Sequence, residues 1–394
     1  ECGFKYTLFS FLCSLAGSVT GAIDCSSRMP KKMLFGFIEC LIVVNLLSAA
    51  KIKNADSCTT YPCVIFEENF DTLDHKTWTH WISAAATGNK EFQYYANNRS
   101  NSYVKEGRLN LKATLTNNTF DDEFLTGGAL DLWPGNKCTS NRGNKGCYYK
   151  GSKEIIVKPI QSAAISTEGV FSFKYGELEV SAKMPKGDWL WPAVWLMPEL
   201  EEYGNWPASG EIDLIESRGN THLTDDDAKT DVGNKRIMQS LHWGPYFPLN
   251  GQPYTLAKTN KKTGSFADAF HKYRMTWTPD SIIFFIDSHC TLNVSRSDTS
   301  FWELAKFPSY LDNPWQGGTK LAPFDKNFHI IINLAVGGTN NYFHPTYKPT
   351  PPWKSNDEKA QTEFWDARSQ WLPTWDDPVF QIDYVKVTKT VKNP

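Results

Sequence analysis

Gly210-Glu211-Ile212-Asp213-Leu214-Ile215-Glu216 interleaves three carboxylates with aliphatic residues in a run whose composition is that of a strand. Side chains alternate along a strand, so Glu211 and Asp213 share one face. Glu216, at an odd offset from Glu211, points to the opposite face unless one extra residue at Leu214-Ile215 forms a β-bulge, a device that re-aims side chains beside active sites. With the bulge, all three acids line one face. Working outward, further short runs alternate or are rich in β-branched and aromatic residues: Val64 to Phe70, Arg108 to Leu115, Gly176 to Met184, Ile282 to Asp287, His329 to Val336 and Phe380 to Val387. Gly, Pro, Asn and Asp punctuate the gaps, and no alternation of strands with helices suggests a parallel sheet. The expected architecture is all-β, a sandwich of two antiparallel sheets. Asp357 to Gln370, with apolar spacing through Ala360, Phe364 and Ala367, is expected to be a single surface helix before the last strand.

Glu211 and Glu216 would sit about 13 Å apart along a bulged strand, and side chains leaning together could bring the carboxyls towards the ~5–5.5 Å of a retaining glycosidase. In that chemistry one carboxylate attacks the anomeric carbon while the other, protonated, donates to the leaving oxygen. Ionised Glu211 would raise the pKa of Glu216, with Asp213 tuning the nucleophile. A bare E-x-D-x-x-E is more often the polar outer face of a strand, so the neighbours decide. They are Trp189-Leu190-Trp191-Pro192-Ala193-Val194-Trp195 upstream, Trp206-Pro207-Ala208-Ser209-Gly210 immediately before the acids, and His242-Trp243-Gly244-Pro245 after them.

Through these motifs the chain resembles glycoside hydrolase family 16, and within it the laminarinase branch and the invertebrate β-1,3-glucan-binding proteins, which carry E-[IL]-D-x-x-E after W-P-x-x-G. The likeness covers nearly all of residues 58 to 394, from Phe66-Glu67-Glu68-Asn69-Phe70-Asp71 to Ile382-Asp383-Tyr384-Val385-Lys386-Val387. It implies a β-jelly-roll with a concave glucan cleft, Glu211 as nucleophile, Asp213 as its helper and Glu216 as acid/base. It also implies substrate contacts from Trp206 and His242, with Trp191 and Trp195 as cleft-wall candidates and Asn101 and Arg99 carried by a neighbouring motif. No cofactor is required; a structural calcium, as in many family members, would use Asp383. Ser181 departs from the pattern, which has Arg there. The activity implied is endo-acting hydrolysis of β-1,3-glucan; the alternative is glucan recognition in innate immunity with little or no turnover.

Composition fits a polysaccharide partner. A net charge of -2 argues against a nucleic-acid or anionic membrane surface, and 15 Trp supply flat apolar faces for sugar rings. A monomer is expected. Residues 1–50 read as a leader region: Met29-Pro30-Lys31-Lys32, the apolar run Met33 to Leu47 and Ser48-Ala49-Ala50 have the parts of a signal peptide over 29–50, with 1–28 an upstream segment. A second leader-like run is Lys5 to Ala22. Residues 51–394 are then one secreted domain. Of its cysteines, Cys138 and Cys147 are the preferred disulfide, while Cys58, Cys63 and Cys290 leave the remaining pairing open. Asn98, Asn117 and Asn293 head glycosylation sequons.

Overall fold

In the computed structural model, residues 49–391 are described apart from 86–87, 136, 141–143, 297 and 377. The expected leader, up to residue 48, lies outside the described residues. Every strand expected above is present. The segment Glu211–Ser217 pairs antiparallel with Leu190–Pro198 on one side and Arg236–His242 on the other. Leu256–Asn260 continues the sheet beyond Arg236–His242, and Phe328–Val336, Ala164–Ser166 and Thr79–His80 continue it beyond Leu190–Pro198. Ser172–Phe173 also pairs with Phe328–Val336. The second large sheet runs from Lys51–Ile52 through Cys63–Glu68, Val379–Lys389, Gly176–Lys183, His271–Trp277 and Ser281–Ile286 to His289–Ser295.

The two sheets close on each other through their alternating apolar faces. Leu190, Val194 and Leu196 of the first sheet, with Ile212, Leu214, Ile330, Ile332 and Leu334, share one core with Leu178, Val180, Met275, Trp277, Ile282, Phe284 and Val385 of the second. Strands of this kind are held by cross-strand contacts and by burial at about 25 cal/mol per Å² of apolar surface. The opposite face of the first sheet is thereby left to carry the acids.

Residues between the early strands form additional layers that a two-sheet reading does not contain. Gln93–Tyr95, Ile160–Ser162 and Thr114–Leu115 make a three-stranded sheet with one parallel pair, and Ala129–Asp131 pairs with Tyr148–Lys150. The expected helix over Asp357 to Gln370 is two short helices, Ala360–Asp366 and Arg368–Trp371. Ala367, at φ -83° and ψ 9°, breaks the run. The break lets Trp371 stack on Phe364 at 4.4 Å, and both rings are fully buried, so the segment packs into the core rather than lying on the surface.

Cys138 bonds Cys147 as expected, Cys58 bonds Cys63, and Cys290 is free and exposed. Among the described residues no helix is long and apolar enough to cross a membrane.

Candidate active site

The acid strand carries a bulge where the spacing of its carboxylates requires one. Asp213 pairs with Ser240 and Glu216 with Met238, so Leu214 and Ile215 together oppose Gln239. On the other side Trp195 pairs with Asp213 and Val194 with Ile215, leaving Leu214 as the extra residue. Leu214 and Ile215 are both fully buried in the core, and Glu211, Asp213 and Glu216 all lie on the opposite face of the sheet. The bulge frees the Leu214 carbonyl, and the Gln239 amide donates to it at 3.0 Å. Gly210 immediately precedes the strand at φ +85°; a Cβ there would lie 2.9 Å from the Phe324 ring, so glycine is required where the chain turns into Glu211.

Each acid has its own donor. Trp206 Nε1 donates to Glu211 Oε2 at 2.5 Å, and Trp191 Nε1 donates to Glu216 Oε1 at 2.9 Å. Between them, Asp213 Oδ2 accepts from Ser240 Oγ at 2.6 Å and lies 3.2 Å from His242 Nε2. Asn250 Nδ2 donates to His242 Nδ1 at 2.8 Å, while its own Oδ1 accepts from the Gln252 amide at 2.9 Å. That arrangement leaves Nε2 to carry a proton towards Asp213.

Burial, reinforced by the Asp213 charge, raises both Glu211 and Glu216 above the ordinary carboxylate value, and the two hold their protons as an interacting pair. Burial opposes charge on His242, but the carboxylates of Glu211, Asp213 and Glu216 outweigh it and raise the ring to about 9. Like charges gathered out of water hold protons, and this cluster retains protons near neutrality. Such a site can present one carboxylate as nucleophile and one carboxyl as acid at the same pH.

Aromatic rings flank the acids. Trp191 lies flat on Tyr342, with centroids 3.7 Å apart and planes 6° from parallel. Arg218, buried, sits 4.1 Å over the other side of Tyr342 and donates to its carbonyl at 2.6 Å. Trp195 hydrogen-bonds Asn333 at 2.7 Å and meets Trp81 edge-on at 5.9 Å. Trp206 meets the His242 ring at 5.7 Å and Phe247 at 6.1 Å. The structure thus brings together Glu211, Asp213, Glu216, Trp206, His242, Trp191 and Trp195. Sequence reasoning missed Ser240, Asn250, Arg218, Tyr342 and Phe247. Ser240 follows from the pairing of Arg236–His242 with the acid strand, and Asn250 comes from the loop after it; Arg218 and Tyr342 meet only through long-range folding.

The model of glycosyl hydrolases family 16 matches residues 134–321. A β-1,3-glucan-binding protein of Penaeus monodon is 45% identical over 90% of this chain and 98% of its own length. This chain belongs to glycosyl hydrolase family 16. A β-1,3-glucan-binding protein of Tenebrio molitor is 34% identical over 82% of the chain, which spans only 65% of that protein's length. The laminarinase from Rhodothermus marinus superposes with a TM-score of 0.53 over 85% of this chain and all of its own, at 22% identity, and shows the shared jelly-roll fold.

Three expected residues of the family pattern sit elsewhere. Asn101 is fully buried, with Nδ2 directed at Lys112 O, Thr114 Oγ1 and Gln161 O at 2.9, 2.9 and 3.0 Å. Its Oδ1 accepts from Gln161, so it ties loops together and has no free group for substrate. Arg99 meets Asn97 and, at 3.3 Å, His80 on the edge strand. That strand is four places from the acid strand in the sheet order, roughly 19 Å away, which removes Arg99 from the neighbourhood of the acids. Asp383 lies on the other large sheet, 3.6 Å from the Arg108 guanidinium, and accepts from Ser181 at 3.4 Å. A guanidinium already opposing the carboxylate does not fit a calcium ligand set, which gathers several oxygens around the ion. Glu211, Asp213 and His242 bring donor atoms within 4.8 Å of one another, but Trp206, Ser240 and Asn250 engage them, and the set is an acid–base cluster.

Proposed function

We propose that this protein binds β-1,3-glucan along the face carrying Glu211, Asp213 and Glu216 and hydrolyses it internally with retention of configuration. The observation that carries the reading is the bulge at Leu214, which turns Glu216 onto the face of Glu211 and Asp213. In the first step the Glu211 carboxylate forms a bond to the anomeric carbon as the glycosidic C–O bond breaks, and Glu216 gives its proton to the departing oxygen. In the second, water attacks the same carbon, Glu216 takes the water proton and Glu211 leaves as carboxylate. Trp206 N–H steadies the charge of Glu211. Asp213, held by Ser240 and His242, lies beside both groups and raises Glu216, which favours the proton on it.

The glucan assignment rests on family membership and on the names of the relatives. Export fits the signal-peptide-like residues 29–50 and the two disulfides, which persist in oxidising compartments. The second reading is glucan recognition without turnover, favoured by the 45% identical relative being named a binding protein. Proton NMR of the first product formed from soluble β-1,3-glucan tests the mechanism. A β-anomeric reducing end appearing first supports double displacement, and an initial α-anomer rules it out.

A further inference from the structure

Phe247 is 71% exposed at the tip of the loop that follows His242. An exposed benzyl ring gains nothing from water, and this one does not stand alone. Its centroid is 6.1 Å from that of Trp206 with planes 33° apart, and Trp206 itself holds Glu211 by its N–H. The rings therefore step outward from the nucleophile as one gently turned wall. The loop beneath is fixed in place. Tyr246 and Leu249 form a bridge, with the Leu249 amide on Tyr246 O at 2.8 Å. The Gly251 amide reaches Trp243 O at 2.6 Å. Gly244 passes so close to Leu249 that a Cβ would fall 1.8 Å from its carbonyl. Asn250 ties the far end to His242.

We propose that Phe247 is a second sugar platform of this cleft, stacking on the glucosyl unit next to the one held at Trp206. The proposal rests on the glucan reading above and adds a subsite to it. β-Linked glucosyl units present flat faces of C–H bonds, which suit an aromatic ring without a polar edge. A platform one unit away from the reacting sugar discriminates by chain length, since a single glucose held at Trp206 does not reach it.

Isothermal titration of full-length Glu211→Gln with glucose and the β-1,3-linked gluco-oligosaccharides, disaccharide to hexasaccharide, provides the test. Adding Phe247→Ala is expected to weaken the longer ligands about five- to tenfold and leave the shortest unchanged, with Phe247→Trp restoring affinity. Equal affinities with and without Phe247, or an equal loss at every length, would overturn the subsite while leaving the glucan reading intact. If Glu211→Gln binds no member of the ladder, the glucan reading falls and the subsite with it.

Discussion

Asp213 is the most enclosed of the three acids, 3% exposed, and its two partners explain why it can be buried. Ser240 and His242 satisfy it, and its charge reaches both glutamates. The chemistry was legible in the sequence at this scale because carboxylate spacing is local. The supports of Glu216 were not, because Arg218, Tyr342 and Trp191 come from three separate segments and meet only in the folded chain. Arg218→Met removes the cation over Tyr342 and leaves the carbonyls of Tyr342 and Val232 without their donor. It should cost about 2–4 kcal/mol in denaturant unfolding. The same change removes a positive charge that lowers Glu216, so the alkaline limb of the pH–activity profile should move to higher pH, with Arg218→Lys largely restoring it. Trp206→Phe deletes the N–H on Glu211 while keeping a ring. A hydrogen bond to a charged group is worth about 1.5–3 kcal/mol, so kcat should fall by about 10- to 100-fold, with the acid limb moving upward.

At the scale of elements, the bulged strand is the unit that makes the site. An odd spacing of two glutamates on an otherwise alternating strand already demanded an extra residue, so this irregularity could be read in advance. What the spacing could not reveal is how the freed Leu214 carbonyl is satisfied; Gln239, on the neighbouring strand, does so. An orphaned buried carbonyl costs about 1–3 kcal/mol. Gln239→Met should therefore lower unfolding stability by that amount and reduce kcat more than it raises KM, because Glu216 loses its register. The helix before the last strand was misjudged for the opposite reason. Helix-forming residues with apolar spacing favoured one continuous run, but packing Trp371 onto Phe364 in the core requires the break at Ala367.

Across the whole molecule, the two large sheets were legible because strands such as Gly176–Lys183 and Val379–Lys389 carry their own alternation. The layers built from Gln93–Tyr95, Ile160–Ser162, Ala129–Asp131 and Tyr148–Lys150 were not, since such short segments hold too little periodic signal and depend on contacts made elsewhere. They account for Asn101, whose motif looked like a substrate contact but whose side chain is consumed in joining them. The acid cluster also marks the stability of the whole fold. Glu211 and Glu216 bind protons more tightly folded than unfolded, both raised from an ordinary 4.5. Their contribution is complete below about pH 4.5 and is lost as pH rises through the raised values of the pair. His242, raised to about 9, has the same sign at higher pH. The melting temperature of wild type should therefore fall relative to Glu211→Gln/Glu216→Gln as pH is raised from about 5 to 9; parallel curves would contradict the buried cluster.

Reducing-sugar release from soluble β-1,3-glucan, measured for wild type, Glu211→Gln and Glu216→Gln alongside glucan binding by all three, is the most direct measurement. Turnover by wild type, with each variant losing about 1,000-fold or more of kcat while still binding, is the result expected of a two-carboxylate hydrolase. Binding without turnover in wild type would contradict the hydrolase and make this a recognition protein that keeps its acids in place without using them.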